Sequence, residues 1–157
     1  MTASTPPQPA PHTFLKAGHD HYKAALRLSE KAPVLPGPAD HLAGLAAECV
    51  VKAMLMDFFG AKQDSAYGIP YTQKTANDKQ TKHRHMPEVW DQLQLIASGH
   101  RGSLIRQRIP AQNPFSAPSD EWDVAHRYCD GDSLDPQRLP RHMATALALI
   151  EAYESAK

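Results

Sequence analysis

The sequence predicts an all-α protein: an up-down bundle of four to five helices, with a long polar loop and an irregular cover segment carrying aromatic residues. Three observations lead there. Apolar residues recur at three- and four-residue spacing in several separate segments. The 14 prolines fall between those segments or at their starts, the places where helices tolerate them. No run shows the period-two alternation of a half-buried strand, and no internal repeat is present.

The first helix is expected from Thr13 to Lys31. Phe14, Leu15, Tyr22, Ala25 and Leu26 form its apolar stripe, Thr13 is its N-cap, and Ala32 to Pro38 ends it. The second is expected from Pro38 to Phe59, closed by Gly60. It is apolar almost all round, and a helix of that kind belongs in the middle of a bundle. Ala61 to Arg84 is polar and reads as a long exposed loop, a length that points to function or disorder. A third helix is expected from Met86-Pro87 to Gly99, followed by a short helix or turn over Ser103 to Ile109. Ala111 to Asp135 holds three turn signals together with Trp122 and Tyr128, and reads as an ordered cover laid over the bundle. The last helix runs to about Ser155, with an irregular start because Pro140 stands in its first turns.

Composition sets outer bounds. The 157 residues suit one domain over 13–157, preceded by a tail over 1–12 expected to be disordered. Cys49 and Cys129 make neither a disulfide framework nor a zinc-like spacing, so no metal is expected, and no cofactor is implied. No apolar run reaches the roughly 18 residues of a membrane span. Met1 to Pro11 lacks a signal-peptide pattern, so no membrane association and a cytoplasmic location are expected. Lys plus Arg and Asp plus Glu both total 17. Lys74, Lys79, Lys82, Arg84, Arg101, Arg106 and Arg108 make the middle basic, whereas Asp120, Glu121, Asp123, Asp130, Asp132 and Asp135 make the next stretch acidic. The two stretches are expected to neutralise each other in part, and a local polyanion-binding face remains open.

Three groups of residues are candidates for chemistry. His41, Glu48 and Lys52 lie within about 40° of one another on the second helix. They are either an exposed i,i+4 pair with a neighbour or a partly buried polar site where bundle meets cover. Lys82-His83-Arg84-His85 opens the third helix, and this basic cluster suits a phosphate better than a metal. In Trp122-Asp123-Val124-Ala125-His126-Arg127-Tyr128 the aromatic residues anchor the cover, leaving Arg127 as a planar donor for Glu48 or for a phosphate. The expected ligand-binding set is therefore His41, Glu48, Lys52, His83, Arg84, His85, Trp122, Arg127 and Tyr128.

The segment Ala39-Asp40-His41-Leu42-Ala43-Gly44-Leu45-Ala46-Ala47-Glu48-Cys49-Val50-Val51-Lys52 resembles the second helix of HEPN-type proteins, the prokaryotic nucleotide-binding helical bundles. Lys82 to Trp90 and Trp122 to Tyr128 are similar to later blocks of one branch of that family. The resemblance spans roughly Phe14 to Tyr153. It implies an α-bundle, homodimerisation, and association with RNA cleavage, toxin–antitoxin or defence systems. Ribonuclease members carry an Arg and a His separated by four to six residues; here the nearest approach, Arg138 to His142, has three between. The leading reading is thus a non-catalytic module that binds RNA, a nucleotide or a cognate protein partner. One alternative is a metal-independent ribonuclease with a displaced pair drawn from Arg127, His126, His41 and His142. Another is a small-molecule-binding bundle.

Overall fold

The computed structural model describes residues 13–118 and 120–157; the expected tail at 1–12 lies outside them. Among the described residues the chain is mostly helical, with two small antiparallel sheets. Helix α1 spans Phe14–Glu30 and α2 spans Pro36–Phe59. Pro36 and Pro38 both stand in the first turn of α2, where an N–H has no intrahelical acceptor to lose. Gly60 ends the helix in the left-handed conformation at φ 73°, and the Ala61 N–H reaches back to the Leu55 carbonyl at 2.9 Å.

The segment expected to be a long loop contains a three-stranded antiparallel sheet. Its strands are β1 (Lys62–Gln63), β2 (Pro70–Thr72) and β3 (Thr81–Lys82), with Tyr71 paired to Lys62 on one side and to Lys82 on the other. Strands of two or three residues are too short to show an alternating pattern, so periodicity could not announce them. The polar residues here knit the turns instead of merely solvating them. Asp64 Oδ1 accepts from the N–H groups of Ala66 and Tyr67, and Asp78 Oδ2 accepts from Thr75. Gln73 Nε2 donates to the carbonyls of Ala76 and Asp78.

Helix α3 follows at Glu88–Ile96, and α4 at Gly99–Arg106, four residues earlier than the turn expected from Ser103. The cover then runs through a two-stranded hairpin, β4 (Ser116–Ala117) and β5 (Asp120–Glu121), and two short 3₁₀ turns at Val124–Tyr128 and Gly131–Ser133. Helix α5 spans Arg138–Ala156. Pro140 is its third residue and so lacks only an N–H that had no intrahelical partner; the helix starts regularly, contrary to expectation.

Helix α2 is the axis, packed mainly by α1 and α5 and also by α3. Its Val50, Val51, Met54 and Leu55 meet Val89, Trp90 and Leu93 of α3, Ile105 of α4, Phe115 and Trp122 of the cover, and Leu149 of α5 in one core. Two glycines allow close approaches on α2. A Cβ on Gly18 would stand 2.7 Å from Val50 Cγ2, and one on Gly44 would stand 2.1 Å from Trp122 Cε2. The fully buried Trp122 indole therefore lies flat against the backbone of α2 and pins the cover.

The last contact is open to test. In Gly44→Ala the new methyl meets a rigid, buried ring, and overpacking of this kind costs about 1–3 kcal/mol. Urea unfolding followed by tryptophan fluorescence should show that loss. An unchanged midpoint would mean the indole is not seated on Gly44.

Candidate functional site

The most completely satisfied polar cluster joins α2, α5 and the cover. Asp40, in the second turn of α2, is 1% exposed. Its Oδ2 accepts from Arg138 Nε at 2.8 Å and its Oδ1 lies 2.6 Å from His142 Nδ1. Arg138 also gives Nη1 to Asp120 Oδ1 at 2.6 Å and Nη2 to His126 Nδ1 at 2.7 Å. His142 Nε2 faces the Pro114 carbonyl at 3.2 Å. Arg141 completes the set, bonding Asp120 Oδ2 at 2.7 Å and the Pro114 carbonyl at 3.1 Å. Burial pushes the Asp120 carboxyl up, but hydrogen bonds from Arg138 and Arg141 outweigh this and hold it below the ordinary carboxylate value. Arg138 and His142, one turn apart on one face, are 2% and 0% exposed. Both His142 nitrogens face oxygen acceptors, so no basic nitrogen is turned to solvent. In this arrangement the pair fastens α5 to α2 and to the cover.

The expected ligand-binding residues separate into distinct places. Glu48 and Lys52 are buried and joined at 2.6 Å. Glu48 also lies 3.3 Å from His85 Nδ1 and accepts from the Met86 N–H at 3.3 Å. Lys52 Nζ stands 5.7 Å from the Phe14 ring centre. The burial expected of this pair holds, with His85 and Met86 before α3 and Phe14 of α1 as its partners rather than the Trp122–Tyr128 cover. The expectation that Arg127 reaches Glu48 does not: Arg127 is exposed and lies over the Tyr128 ring at 4.7 Å, because its short 3₁₀ turn is oriented by Trp122 one helical turn nearer the start of α2. His41 stacks on Trp122 with ring centres 5.6 Å apart, and its buried Nδ1 has no partner within the protein. Burial, then the Arg127 charge, lowers the His41 pKa. His126 Nδ1 accepts from Arg138 and from the Asp123 N–H. No hydrogen bond joins Arg127 to His126 or His41 among the described residues, although Arg127 and His126 both lie close enough to lower the His41 pKa.

His83 is fully buried and ties sheet to helix: Nδ1 lies 2.6 Å from Gln92 Oε1 on α3, and Nε2 lies 3.2 Å from Thr72 Oγ1 on β2. Burial lowers its pKa more than the Gln92 bond raises it. Around it the sheet is basic. Lys82 pairs with Asp64 at 3.1 Å, but Lys62, Lys74, Lys79 and Arg84 are exposed and have no ion-pair partner among the described residues. No ion pair joins them to the acidic stretch that follows among the described residues: Asp120 pairs with Arg138 and Arg141, while Asp123, Asp130 and Asp135 accept from backbone N–H groups of their own turns. A groove of about 610 Å³ between this sheet and α3 is lined in part by Lys74, Lys79, Thr72 and Leu95.

Sequence reasoning missed Asp40, Asp120, Arg138 and Arg141. The signal for one of them was present: Arg138 stands at i,i+4 to His142, so the two must share a helix face. Asp40 and Asp120 had no local signal, since their partners lie 98 and 18 residues away. No group of His, Cys, Asp or Glu among the described residues is arranged to hold a metal, and no helix there is long and apolar enough to cross a membrane. No protein-family profile matches the chain, and neither a curated protein nor a solved structure is significantly similar to it.

Two stability measurements follow. Asp40→Ala leaves Arg138 and His142 buried without their carboxylate, and breaking a buried pair in this way costs about 3–5 kcal/mol. A loss under about 1 kcal/mol in urea unfolding would mean the network is not formed. The second concerns pH. His83 and His41 are both held below their ordinary value of 6.5, so the unfolded chain takes up these protons before the folded chain does. Stability should be steady above neutral pH and decline as pH falls below 6.5. His83→Gln should flatten part of that decline; an identical slope in the variant would remove His83 from the explanation.

Proposed function

We propose that this chain is a HEPN-like up-down helical bundle that binds RNA without cutting it, through the basic three-stranded sheet. The observation that carries the reading is the contrast between two groups of its cations. Arg138 and Arg141, with His142, are consumed by Asp40, Asp120 and the Pro114 carbonyl. Lys62, Lys74, Lys79 and Arg84 are exposed on one small sheet and the turns beside it. Unpaired cations on a rigid frame attract phosphates by releasing condensed counterions, whatever the base sequence. The resemblance to HEPN-type bundles supplies RNA as the polyanion, a homodimer as the assembly, and a toxin–antitoxin or defence setting in the cytoplasm as the context. Catalysis needs an acid–base group and a charge stabiliser placed near the scissile phosphate, and misplacement by 1 Å can cost about a hundredfold. The only Arg–His pair resembling the ribonuclease spacing lies in the core, so binding without cleavage is the consistent reading.

The test uses purified protein and labelled RNA in fluorescence anisotropy across a salt series, with total RNA incubated in parallel with and without chelator. RNA should be retained and left intact. The logarithm of affinity should fall linearly with that of salt, and Lys74→Ala, Lys79→Ala and Arg84→Ala combined should reduce the slope by about 2, roughly 0.7 for each lost phosphate contact on a single strand. Wild-type binding by the triple variant would remove the sheet from the reading. Metal-independent cleavage abolished by His41→Ala, His126→Ala, Arg127→Ala or His142→Ala, with circular dichroism unchanged, would replace it with a ribonuclease.

A further inference from the structure

We infer that the groove between the three-stranded sheet and α3 is a nucleotide pocket that holds one unpaired base with its sugar and phosphate, and that Thr72 in its wall reads a hydrogen-bond donor on that nucleotide. The inference rests on the RNA-binding reading above and adds to it a site, a strand preference and a specificity residue.

The wall on the helix side is apolar. Leu95 of α3 is 87% exposed and lines the groove beside Ile96 and the Phe59 ring at the end of α2. A large aliphatic side chain that exposed gains when a flat apolar face covers it. The volume of about 610 Å³ falls within the usual range of small-ligand sites.

The opposite wall is polar, and its polarity can be read from the hydrogen bonds. The Gln92 amide is oriented: its Nε2 donates to the Lys82 carbonyl at 3.3 Å and to Glu88 Oε1 at 3.2 Å, which turns Oε1 toward His83. That oxygen only accepts, so His83 Nδ1 carries the hydrogen. Burial keeps the ring neutral, which leaves Nε2 without a hydrogen. Thr72 must then donate its hydroxyl hydrogen to Nε2 across 3.2 Å. Both of its oxygen lone pairs stay free of that bond, and Thr72 is one of the residues that line the groove. A base amino group, a ring N–H or a ribose hydroxyl would satisfy it.

The phosphate side is the Lys74–Lys79 turn. Both lysines line the groove and neither has an ion-pair partner among the described residues. Asp78, also in the lining, is occupied in part by the Thr75 N–H. Gln73 cross-braces the turn through the Ala76 and Asp78 carbonyls, so the ammonium groups are presented from a closed loop. An apolar face, an acceptor and a pair of cations around one groove match a base, its donor and its phosphate. A base paired and stacked within a duplex cannot enter such a groove, because its faces and its donors are already in use.

The experiment uses the full chain, a fluorescein-labelled adenylate decamer, a blunt RNA duplex of equal length and adenosine monophosphate as competitor. The single strand should bind at least tenfold more tightly than the duplex. Leu95→Ala should weaken single-strand binding roughly tenfold with the salt slope unchanged, as loss of an apolar contact requires. Thr72→Val should weaken it and Thr72→Ser should restore it. Displacement of the decamer by adenosine monophosphate identifies a free nucleotide as sufficient; groove-dependent binding that the monophosphate does not displace identifies the strand. If Leu95→Ala and Thr72→Val bind the decamer as the wild type does, with unchanged circular dichroism, the pocket is refuted. Continued dependence on Lys74, Lys79 and Arg84 would then leave the broader RNA reading standing. Absence of binding to any RNA by the wild type overturns both.

Discussion

One carboxylate sets the register of the two helices that define the fold. Asp40 holds Arg138 and His142 from successive turns of α5, with all three side chains shielded from water. Much of the neighbouring apolar packing is built from small residues: Ala39, Ala43, Ala46 and Ala47 on α2, and Ala146, Ala152 and Ala156 on α5. Small side chains present shallow ridges, so they discriminate weakly between helix registers. Sliding α5 by one turn, about 5.4 Å, would leave Asp40, Arg138 and His142 in the core without their partners. The ionic contacts thus distinguish the native register where the apolar contacts do so least.

The same guanidinium carries the fold outward. Arg138 spends one edge on α2, through Asp40, and two on the cover, through Asp120 and His126. Trp122 is laid on Gly44 between these attachments, and its stack with His41 follows from that placement. An arginine so distributed cannot turn to a ligand without releasing the cover, which is why the one near-match to a ribonuclease spacing reads as structure.

Much of the helical frame was legible because it depends on local periodicity. The bounds of α1 and α2 follow from apolar spacing, from prolines admitted to first turns and from Gly60. The burial of Glu48 and Lys52 was readable as a charged stripe on an apolar helix. What escaped was set by tertiary contact. The strands of the Lys62–Lys82 sheet are two or three residues long, and pairing at a distance rather than side-chain pattern creates them. The direction of Arg127 depends on how the Trp122 indole seats on α2. Thr72 and Gln92 drew no attention because they are linked only through His83, which is buried between them, 11 and 9 residues away in the chain.

A formal net charge of zero conceals how the charges are used. Carboxylates of the cover are absorbed by Arg138 and Arg141 or by the N–H groups of their own turns. Glu48 is absorbed by Lys52, His85 and a backbone N–H. The cations of the small sheet, Lys62, Lys74, Lys79 and Arg84, have no ion-pair partner among the described residues, and they lie on one sheet and its turns. A neutral protein has little long-range field with which to steer an anion, so recognition by such a face depends on close contacts at the sheet itself. This favours a site in which a few cations act beside an apolar wall and a fixed acceptor, and the groove between the sheet and α3 has those three components side by side.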